Sequence, residues 1–308
     1  MDLLTAILTA ALGTAAPILY ASVGEIISER AGVLNLGLEG IMLLGAVSGY
    51  IVAVQTASLP LAVLAAFLTG ALVGLFYAFM TVTLQANQIV CGLALVIAGN
   101  GLSGFFGRVV FGRAASVSFG RRLVPGLSGI PFFGPILFNQ NVMVYGLYFL
   151  VPLVWFYLYK TRPGLKLRAL GENPGALDAV GIHVFSLRYL YVMAGSAIAA
   201  LGGAYITLAY TPSWTAGITA GRGWIAAALV IFASWNPAVA ALGAVLFGGV
   251  EVLGLRLQVI GIDVPSHFIK TLPYLCTVVV LILTTGSFRK RKSPAPAALG
   301  RHYDREAR

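Results

Sequence analysis

Long apolar runs separated by short polar stretches make up most of this chain. In chain order they lie at about 3–23, within 24–46, and at about 60–84, 89–106, 142–159, 189–209, 224–233, 237–255 and 268–285. A helix needs about 20 residues to cross a hydrocarbon core of roughly 30 Å, and it satisfies its own backbone there without water. The pattern therefore predicts an all-α, polytopic membrane protein with about nine transmembrane helices, within a range of eight to ten.

Composition and charge support this prediction. Of the 308 residues, 59% are hydrophobic and only 10% are charged, which is far from the average of soluble domains. Much of the net charge of +10 lies in a central island at 160–188 and in the tail after residue 288, as expected for cytoplasmic segments. The chain is therefore expected to contact membrane lipid and to bind no nucleic acid, and its tail at 289–308 is expected to be basic, disordered and cytoplasmic.

The two basic stretches also predict which segments lie outside. Four predicted spans separate the island from the tail, so both can be cytoplasmic. Counting back through five spans puts the N-terminus outside, together with the Gly- and Pro-rich segment 108–141. No basic residue precedes the first apolar run, which is therefore interpreted as a span and not as a cleavable signal peptide. Four arginines in the outer segment run against the positive-inside rule, so either the span count is wrong by one or they dock an acidic partner surface: Arg108, Arg113, Arg121 and Arg122.

Polar residues interrupt the region between the first two spans. Glu25, Glu29 and Arg30 are interpreted as a short interfacial turn, whereas Asn35 and Glu39 are predicted inside the second span, one helical turn apart and on one face. A carboxylate at that depth must be protonated, paired or near water. The two side chains either stabilise a broken, closely packed helix or contact a transported solute, and the sequence leaves both possibilities open.

A loose internal likeness joins spans one to four with spans six to nine. In each set a glycine-rich stretch precedes the second span, GVLNLGLEGIMLLGA in one and GITAGRGWIAAALVI in the other. Because the sets are five spans apart, they form a probable inverted repeat, an arrangement in which discontinuous helices line a transport path. Helix packing and interfacial anchoring explain the same residues equally well. The candidates for a substrate path are Asn35, Glu39, Trp214, Arg222 and Trp224.

The central island contains signals for one short helix. Asn173 suits the N-cap, Pro174 the first helical position and Gly181 the left-handed stop, which predicts a helix at 174–180 on a polar loop. So short a helix needs a surface for its apolar residues Leu177, Val180 and Ile182. It is either an ordinary capped turn between spans or a coupling helix through which a separate motor moves the membrane part.

Signatures of enzymes and metal sites are missing from the sequence. There is no G-x-x-x-x-G-K-[ST] phosphate loop, no nucleophile elbow, and no histidine or cysteine at metal-ligand spacing. Cys91 and Cys276 lie in apolar surroundings and are interpreted as small buried residues. The chain is therefore expected to have no catalytic residues, no metal and no cofactor of its own.

Three stretches resemble the permease subunits of bacterial ABC importers, in the group that includes the ribose, galactoside and basic-membrane-protein-associated nucleoside systems. They are SERAGVLNLGLEGIMLLGA at 28–46, GENPGALDAVGI at 171–182 and GRGWIAAALVIFASWNP at 221–237. The resemblance implies a single permease domain at 1–288 whose island occupies a groove of an ATPase. The implied coupling residues are Gly171, Glu172, Asn173, Pro174, Ala176, Leu177, Val180, Gly181 and Ile182.

The same resemblance implies the partners and the location. A separate ATPase would hold ATP and magnesium, a second permease would complete a hetero- or homodimer, and an extracytoplasmic binding protein would deliver a nucleoside or a simple sugar. The location would be the bacterial cytoplasmic (inner) membrane. An ion- or proton-coupled secondary transporter with Glu39 as its coupling carboxylate is the alternative, and a passive channel is a third possibility.

Overall fold

The computed structural model describes residues 3–259, Thr271, Leu275 and residues 295–305. The predicted ninth span therefore lies outside the described residues, apart from Thr271 and Leu275. The basic run at 289–292 also lies outside them.

The described residues form eleven helices and two short strands. The helices that come before the island are α1 (Leu3–Arg30), α2 (Leu38–Thr56), α3 (Leu59–Ala78), α4 (Gln88–Gly107), α5 (Phe133–Leu137) and α6 (Val142–Lys160). Those of the island and beyond are α7 (Arg162–Glu172), α8 (Pro174–Ala179), α9 (Val184–Tyr205), α10 (Arg222–Phe232) and α11 (Pro237–Val259). The strands are β1 (Arg121–Leu123) and β2 (Asn139–Asn141), which pair antiparallel.

Seven helices in the described part of the chain are long and apolar enough to cross a membrane: α1, α2, α3, α4, α6, α9 and α11. The prediction of a polytopic, essentially all-α membrane protein is confirmed. The count differs from nine because α10 has only 11 residues and because span nine lies outside the described residues. At 1.5 Å per residue α10 is about 16 Å long, roughly half of a hydrocarbon core.

Helices α1, α2 and α9 form the centre of the bundle. Gly24 of α1 and Gly195 of α9 approach so closely that a Cβ on either would lie within 2.4 Å of the other's carbonyl oxygen. Pro17 of α1 lies beside Gly202 of α9, so the two helices run antiparallel. Small residues permit this approach, and close packing of small residues is the usual way in which membrane helices associate.

The outer helices present apolar side chains to their surroundings. Leu72 and Phe76 of α3, Ile97 of α4, Phe149 of α6 and Leu242 of α11 are all exposed. Such a belt would be a liability in water but is favourable in lipid, where apolar side chains face hydrocarbon.

The island and the Arg-rich segment lie at opposite ends of the bundle. At one end, Gly171 of the island contacts Arg30, the last residue of α1. At the other end, Gln140 donates a hydrogen bond to the carbonyl oxygen of Thr9, near the start of α1 (3.0 Å). The structure therefore separates the two segments as the predicted topology requires.

Three local predictions are wrong. Glu25 and Glu29 do not form an interfacial turn, because α1 continues past Pro17 to Arg30 and buries both carboxylates. Asn35 does not lie within a helix, because α2 begins at Leu38. The first part of the island is a helix, α7, and not a loop. Thr161 caps the first turn of α7, and Leu167 and Leu170, three residues apart, bury one face of it.

The structure also differs from the expected solvated tail. Residues 295–305 form turns that lie against the island end of the bundle, where Pro296 and Ala298 are buried. The amide of Ala298 donates to the carbonyl oxygen of Gly171 at 2.8 Å. Composition predicted disorder for this stretch, whereas small side chains and paired backbone groups hold it in place.

Candidate functional site

The half-length helix α10 begins inside the bundle, at the side chain of Glu39. Its far end reaches Trp235, whose indole N–H donates to Glu29 in the last turns of α1. Since α10 spans about half of the membrane core from that end, its first residue lies near mid-depth. The glycine-rich stretch before α10 therefore leads to a helix that starts within the protein.

Glu39 caps this buried helix start. Oε1 of its carboxylate accepts hydrogen bonds from Thr219 Oγ1 at 2.5 Å and from the amide of Gly221 at 2.8 Å, and Oε2 accepts from the amide of Gly223 at 2.7 Å. A Cβ at Gly223 would lie 2.5 Å from the amide nitrogen of Glu39, so the contact requires glycine. Carboxylates are favoured at helix N-termini, where free amides and the helix dipole stabilise negative charge.

The non-helical segment 33–37 precedes α2, and side chains accept hydrogen bonds from its backbone amides. The amide of Leu34 donates to Gln88 Oε1 at 2.8 Å and that of Asn35 to Glu25 Oε1 at 2.9 Å. Asn35 Oδ1 in turn accepts from the amide of Gly37 at 2.9 Å. Non-helical backbone is tolerated at membrane depth only where protein satisfies it. The geometry assigns Asn35 and Glu25 to holding this break in the helix.

Tyr210 lines a polar cavity at the opposite end from the island, and Arg222 lies behind it against the Tyr210 ring. Arg222 pairs with Glu251 of α11 at 2.6 Å, and its guanidinium carbon lies 5.7 Å from the centre of the Tyr210 ring. Tyr210 stacks on Tyr205 with ring centres 6.4 Å apart. The ion pair lowers the cost of placing Arg222 at this depth, and the stacked rings place aromatic surface beside it.

The cavity has a volume of about 530 Å³. It lies between α1, the β1–β2 pair, the end of α9 and α11, and its lining mixes hydroxyl, amide, guanidinium and aromatic groups. Lining residues include Thr14, Arg121, Asn141, Tyr205, Tyr210 and Arg256. Hydroxyl and amide groups next to stacked rings can hydrogen-bond a polyhydroxylated solute and contact a flat one.

The two tryptophans predicted for the path lie in different surroundings. Trp214 is buried against Gly107 at the end of α4 and borders a separate cavity, with Arg108 at its rim. Trp224 lies in the first turn of α10 and is 37% exposed. Of the five predicted path residues, the structure brings Glu39 and Arg222 to the start of α10, close to Trp224, and leaves Asn35 and Trp214 elsewhere.

The island helix α8 forms as predicted, with its end one residue earlier. Asn173 Oδ1 accepts from the amide of Ala176 at 3.1 Å, and Gly181 has φ +80°, the left-handed stop. The surface that Leu177 needs is not a partner's, as the coupling interpretation expected, because Leu177 is buried in the chain's own core. Val180, by contrast, is 71% exposed.

The remaining predicted coupling residues divide by exposure. Gly171 is buried at the end of α7, whereas Pro174 and Ile182 are half-buried. Glu172, Asn173, Ala176 and Gly181 are exposed around α8. At the other end of the molecule Arg108, Arg113, Arg121 and Arg122 are all exposed.

Comparison with known proteins assigns the chain to a family. The profile of the family described as the permease component of branched-chain amino acid transport systems matches residues 7–284. The chain belongs to this permease family. As a permease component it is a transport subunit and not an enzyme, which confirms the predicted class and excludes the secondary-transporter alternative.

Three curated relatives cover nearly the whole permease. The nucleoside ABC transporter permease protein NupC of Lactococcus lactis is 36% identical, over 93% of both chains. TsgC13 of Haloferax volcanii, provisionally named a glucose ABC transporter permease protein, is 35% identical over 99% of both chains. The guanosine ABC transporter permease protein NupQ of Bacillus subtilis is 32% identical over 98% of both chains. No solved structure gives a significant match.

Sequence reasoning missed several residues of these sites. Glu251 interrupts the predicted eighth span, and a carboxylate at that position is itself a functional signal. Gln88 and Tyr205 gave no such signal, because their roles depend on partners more than 50 residues away in the chain.

Proposed function

We propose that this permease forms the solute path of an ABC importer that carries a nucleoside. A separate ATPase, which holds ATP and magnesium, docks around α8, and an extracytoplasmic binding protein delivers the solute at the opposite end. A second permease, identical or related, completes the path. The assembly lies in a bacterial cytoplasmic membrane, and this chain binds no cofactor itself.

The exposure of Val180 carries the ATPase assignment. A valine at the tip of a capped helix, with exposed Ala176 and Gly181 beside it, offers a small apolar surface at the basic end of the bundle. Such a surface suits a groove in a partner protein, because its burial on docking is favourable and the caps fix its shape. Leu177 instead fixes α8 to the permease.

The test uses two exposed valines at opposite ends. Val180→Asp should abolish recovery of an ATPase with the tagged permease from detergent-solubilised native membrane, because a carboxylate in a docked groove is costly to desolvate. Val109→Asp, at a valine that is 53% exposed beyond α4, is the matched control and should retain the ATPase. Equal recovery with both variants would remove α8 from the ATPase interface.

The nucleoside assignment rests on the two relatives named for nucleoside and guanosine transport. The aromatic pair Tyr205 and Tyr210 beside the polar cavity supports it, since a flat nucleobase can stack face to face on an aromatic ring. The relative with a glucose name supports a simple sugar as the second candidate. Uptake of tritiated guanosine and of labelled glucose by proteoliposomes, with ATP inside, separates them.

The driving force is tested in the same proteoliposomes. ATP-dependent uptake that persists with a protonophore is expected. Uptake without ATP that collapses with the proton gradient would contradict the importer assignment altogether, and uptake of glucose alone would replace the nucleoside by a sugar.

A further inference from the structure

The C-terminal segment Ala295–Arg305, here called the C-terminal clamp, joins the ends of two membrane helices to the island. The amide of Ala298 donates to the carbonyl oxygen of Gly171 at 2.8 Å, and the amide of Gly300 donates to that of Gly32 at 3.3 Å. Gly171 lies in the last turn of α7 and Gly32 follows α1, so one short turn of the clamp is hydrogen-bonded near the ends of both helices.

A buried arginine of α9 also depends on the clamp. Arg188 is 2% exposed, and its Nη1 donates to the carbonyl oxygen of Arg301 at 3.3 Å. Its Nε and Nη2 have no hydrogen-bond partner in the described part of the chain. A buried guanidinium with so few acceptors binds each one strongly, because an unsatisfied charged donor is expensive. The clamp is therefore attached to α9 as well as to α1.

The far end of the clamp is attached to α8. Arg305 Nε lies 2.9 Å from Asp178 Oδ2, and the Tyr303 ring lies 5.9 Å from that of Phe185 just beyond α8. Asp178 lies on α8 itself, next to Leu177. The Arg305 side chain is 70% exposed, so this ion pair alone is weak, and the contacts at Ala298 and Gly300 supply most of the attachment.

Without these contacts Leu177 would be the main attachment of α8 to the membrane helices. Helix α8 has only six residues, and Leu177 is its one fully buried side chain. A helix of this length is not stable by itself; Asn173 alone separates it from α7, and residues 180–183 connect it to α9. A partner that pushed on α8 could then displace it without moving the bundle.

We propose that the C-terminal clamp carries movement from α8 into α1 and α9 when the ATPase acts on α8. The inference rests on the proposed function, because it places the ATPase at α8. Its physical basis is that one segment is hydrogen-bonded to the ends of α1 and α7, to a buried side chain of α9, and ion-paired to α8. Such a contact network can transmit a rigid-body displacement.

The test compares neighbouring alanines of the clamp. Ala298 is buried between Gly171 and Gly32, whereas Ala297 is exposed. Ala298→Phe should displace the clamp, and Ala297→Phe is the matched control with the same added bulk. Both are made in the full-length permease purified with its ATPase. The readout is hydrogen exchange of the backbone amides at 24–32, with and without ATP and vanadate.

In the unmodified complex ATP and vanadate should change exchange at the end of α1. Ala298→Phe should retain the ATPase but reduce this change by roughly tenfold, within the usual range of coupling between sites. Ala297→Phe should leave it intact. The inference is overturned if the unmodified complex shows no change at 24–32, or if both variants respond equally.

A second variant tests the inference if Ala298→Phe does not accumulate in the membrane. Gly300→Pro removes the amide that donates to Gly32 and cannot adopt the φ of +74° found there, yet it adds no bulk to the buried contact. It should give the same loss of response, and an unaltered response would overturn the inference.

Failure of the proposed function gives a different result. If no ATPase accompanies the unmodified permease, the proposed function fails. The clamp is then tested in the permease alone: the Ala298 and Gly300 amides should exchange at least about tenfold more slowly than those of an unstructured peptide. Rapid exchange at both amides would overturn the clamp itself.

Discussion

Replacing Glu39 by glutamine tests whether its carboxylate holds the buried start of α10. Glutamine keeps one oxygen for Thr219 and Gly221 but turns an NH2 group toward the amide of Gly223. The unsatisfied Gly223 amide costs about 1–3 kcal/mol, and the lost negative charge at the helix start costs roughly 1 kcal/mol more. Glu39→Gln should therefore lower the free energy of unfolding by about 3 kcal/mol.

The assay is thermal unfolding of the purified permease in detergent, followed by tryptophan fluorescence. A loss of this size should lower the midpoint by roughly 5–10 °C, from the sensitivity typical of chains longer than 150 residues. Glu172→Gln is the matched control: Glu172 is exposed and only its Oε2 accepts, from the amide of Ala297 at 3.4 Å. That variant should change stability by less than about 0.5 kcal/mol.

A midpoint for Glu39→Gln within about 2 °C of the parent would refute the capping argument. If that variant also bound guanosine more weakly, the carboxylate would belong to the solute path, as the sequence left open. A large loss of stability with unchanged apparent affinity for solute would assign Glu39 to structure alone.

Two further predictions concern the outer end of the permease. Replacing Arg121 and Arg122 by glutamate should weaken the stimulation of uptake by the binding protein. In the unmodified permease, raising the salt concentration from about 0.05 to about 0.5 M should weaken the same stimulation, because salt screens exposed charges. Equal stimulation at all salt concentrations would contradict the docking role. Tyr210→Ala should lower guanosine uptake several-fold because the stacked surface is lost, while Tyr210→Phe retains the stacking with Tyr205 and should transport nearly as well. Equal uptake by both Tyr210 variants would show that the cavity is not part of the solute path.

The long helices could be predicted from the sequence because their signals are local. The run at 142–159 became α6 within one residue, and that at 89–106 became α4 within one residue at each end. The first run, at about 3–23, became the first part of α1, which continues through Pro17. Hydrophobic length alone determines these elements, and no long-range partner is needed to recognise them.

The polar sites could be predicted only in part, since distant partners decide them. Glu25 and Glu29 looked like a membrane boundary, but Asn35 and Trp235 provide the hydrogen bonds that let them stay buried in α1. The local caps of α8 were recognisable, whereas the covering of Leu177 by the permease's own core was not. Apolar periodicity shows that a face is buried but not which chain buries it.

A continuous set of contacts connects the island end to the start of α10. The clamp holds Gly32, and the chain then runs directly through the non-helical segment 33–37, whose backbone is fixed by Glu25 and Gln88. That segment leads into α2, where Glu39 caps α10. Non-helical backbone whose hydrogen bonds come from side chains has few alternative conformations at membrane depth. Displacement of Gly32 must therefore either break those hydrogen bonds or move Glu39 with it. Movement at α8 can therefore reach mid-depth through one covalent stretch, and the half-helix α10 is the element that such movement would reorient.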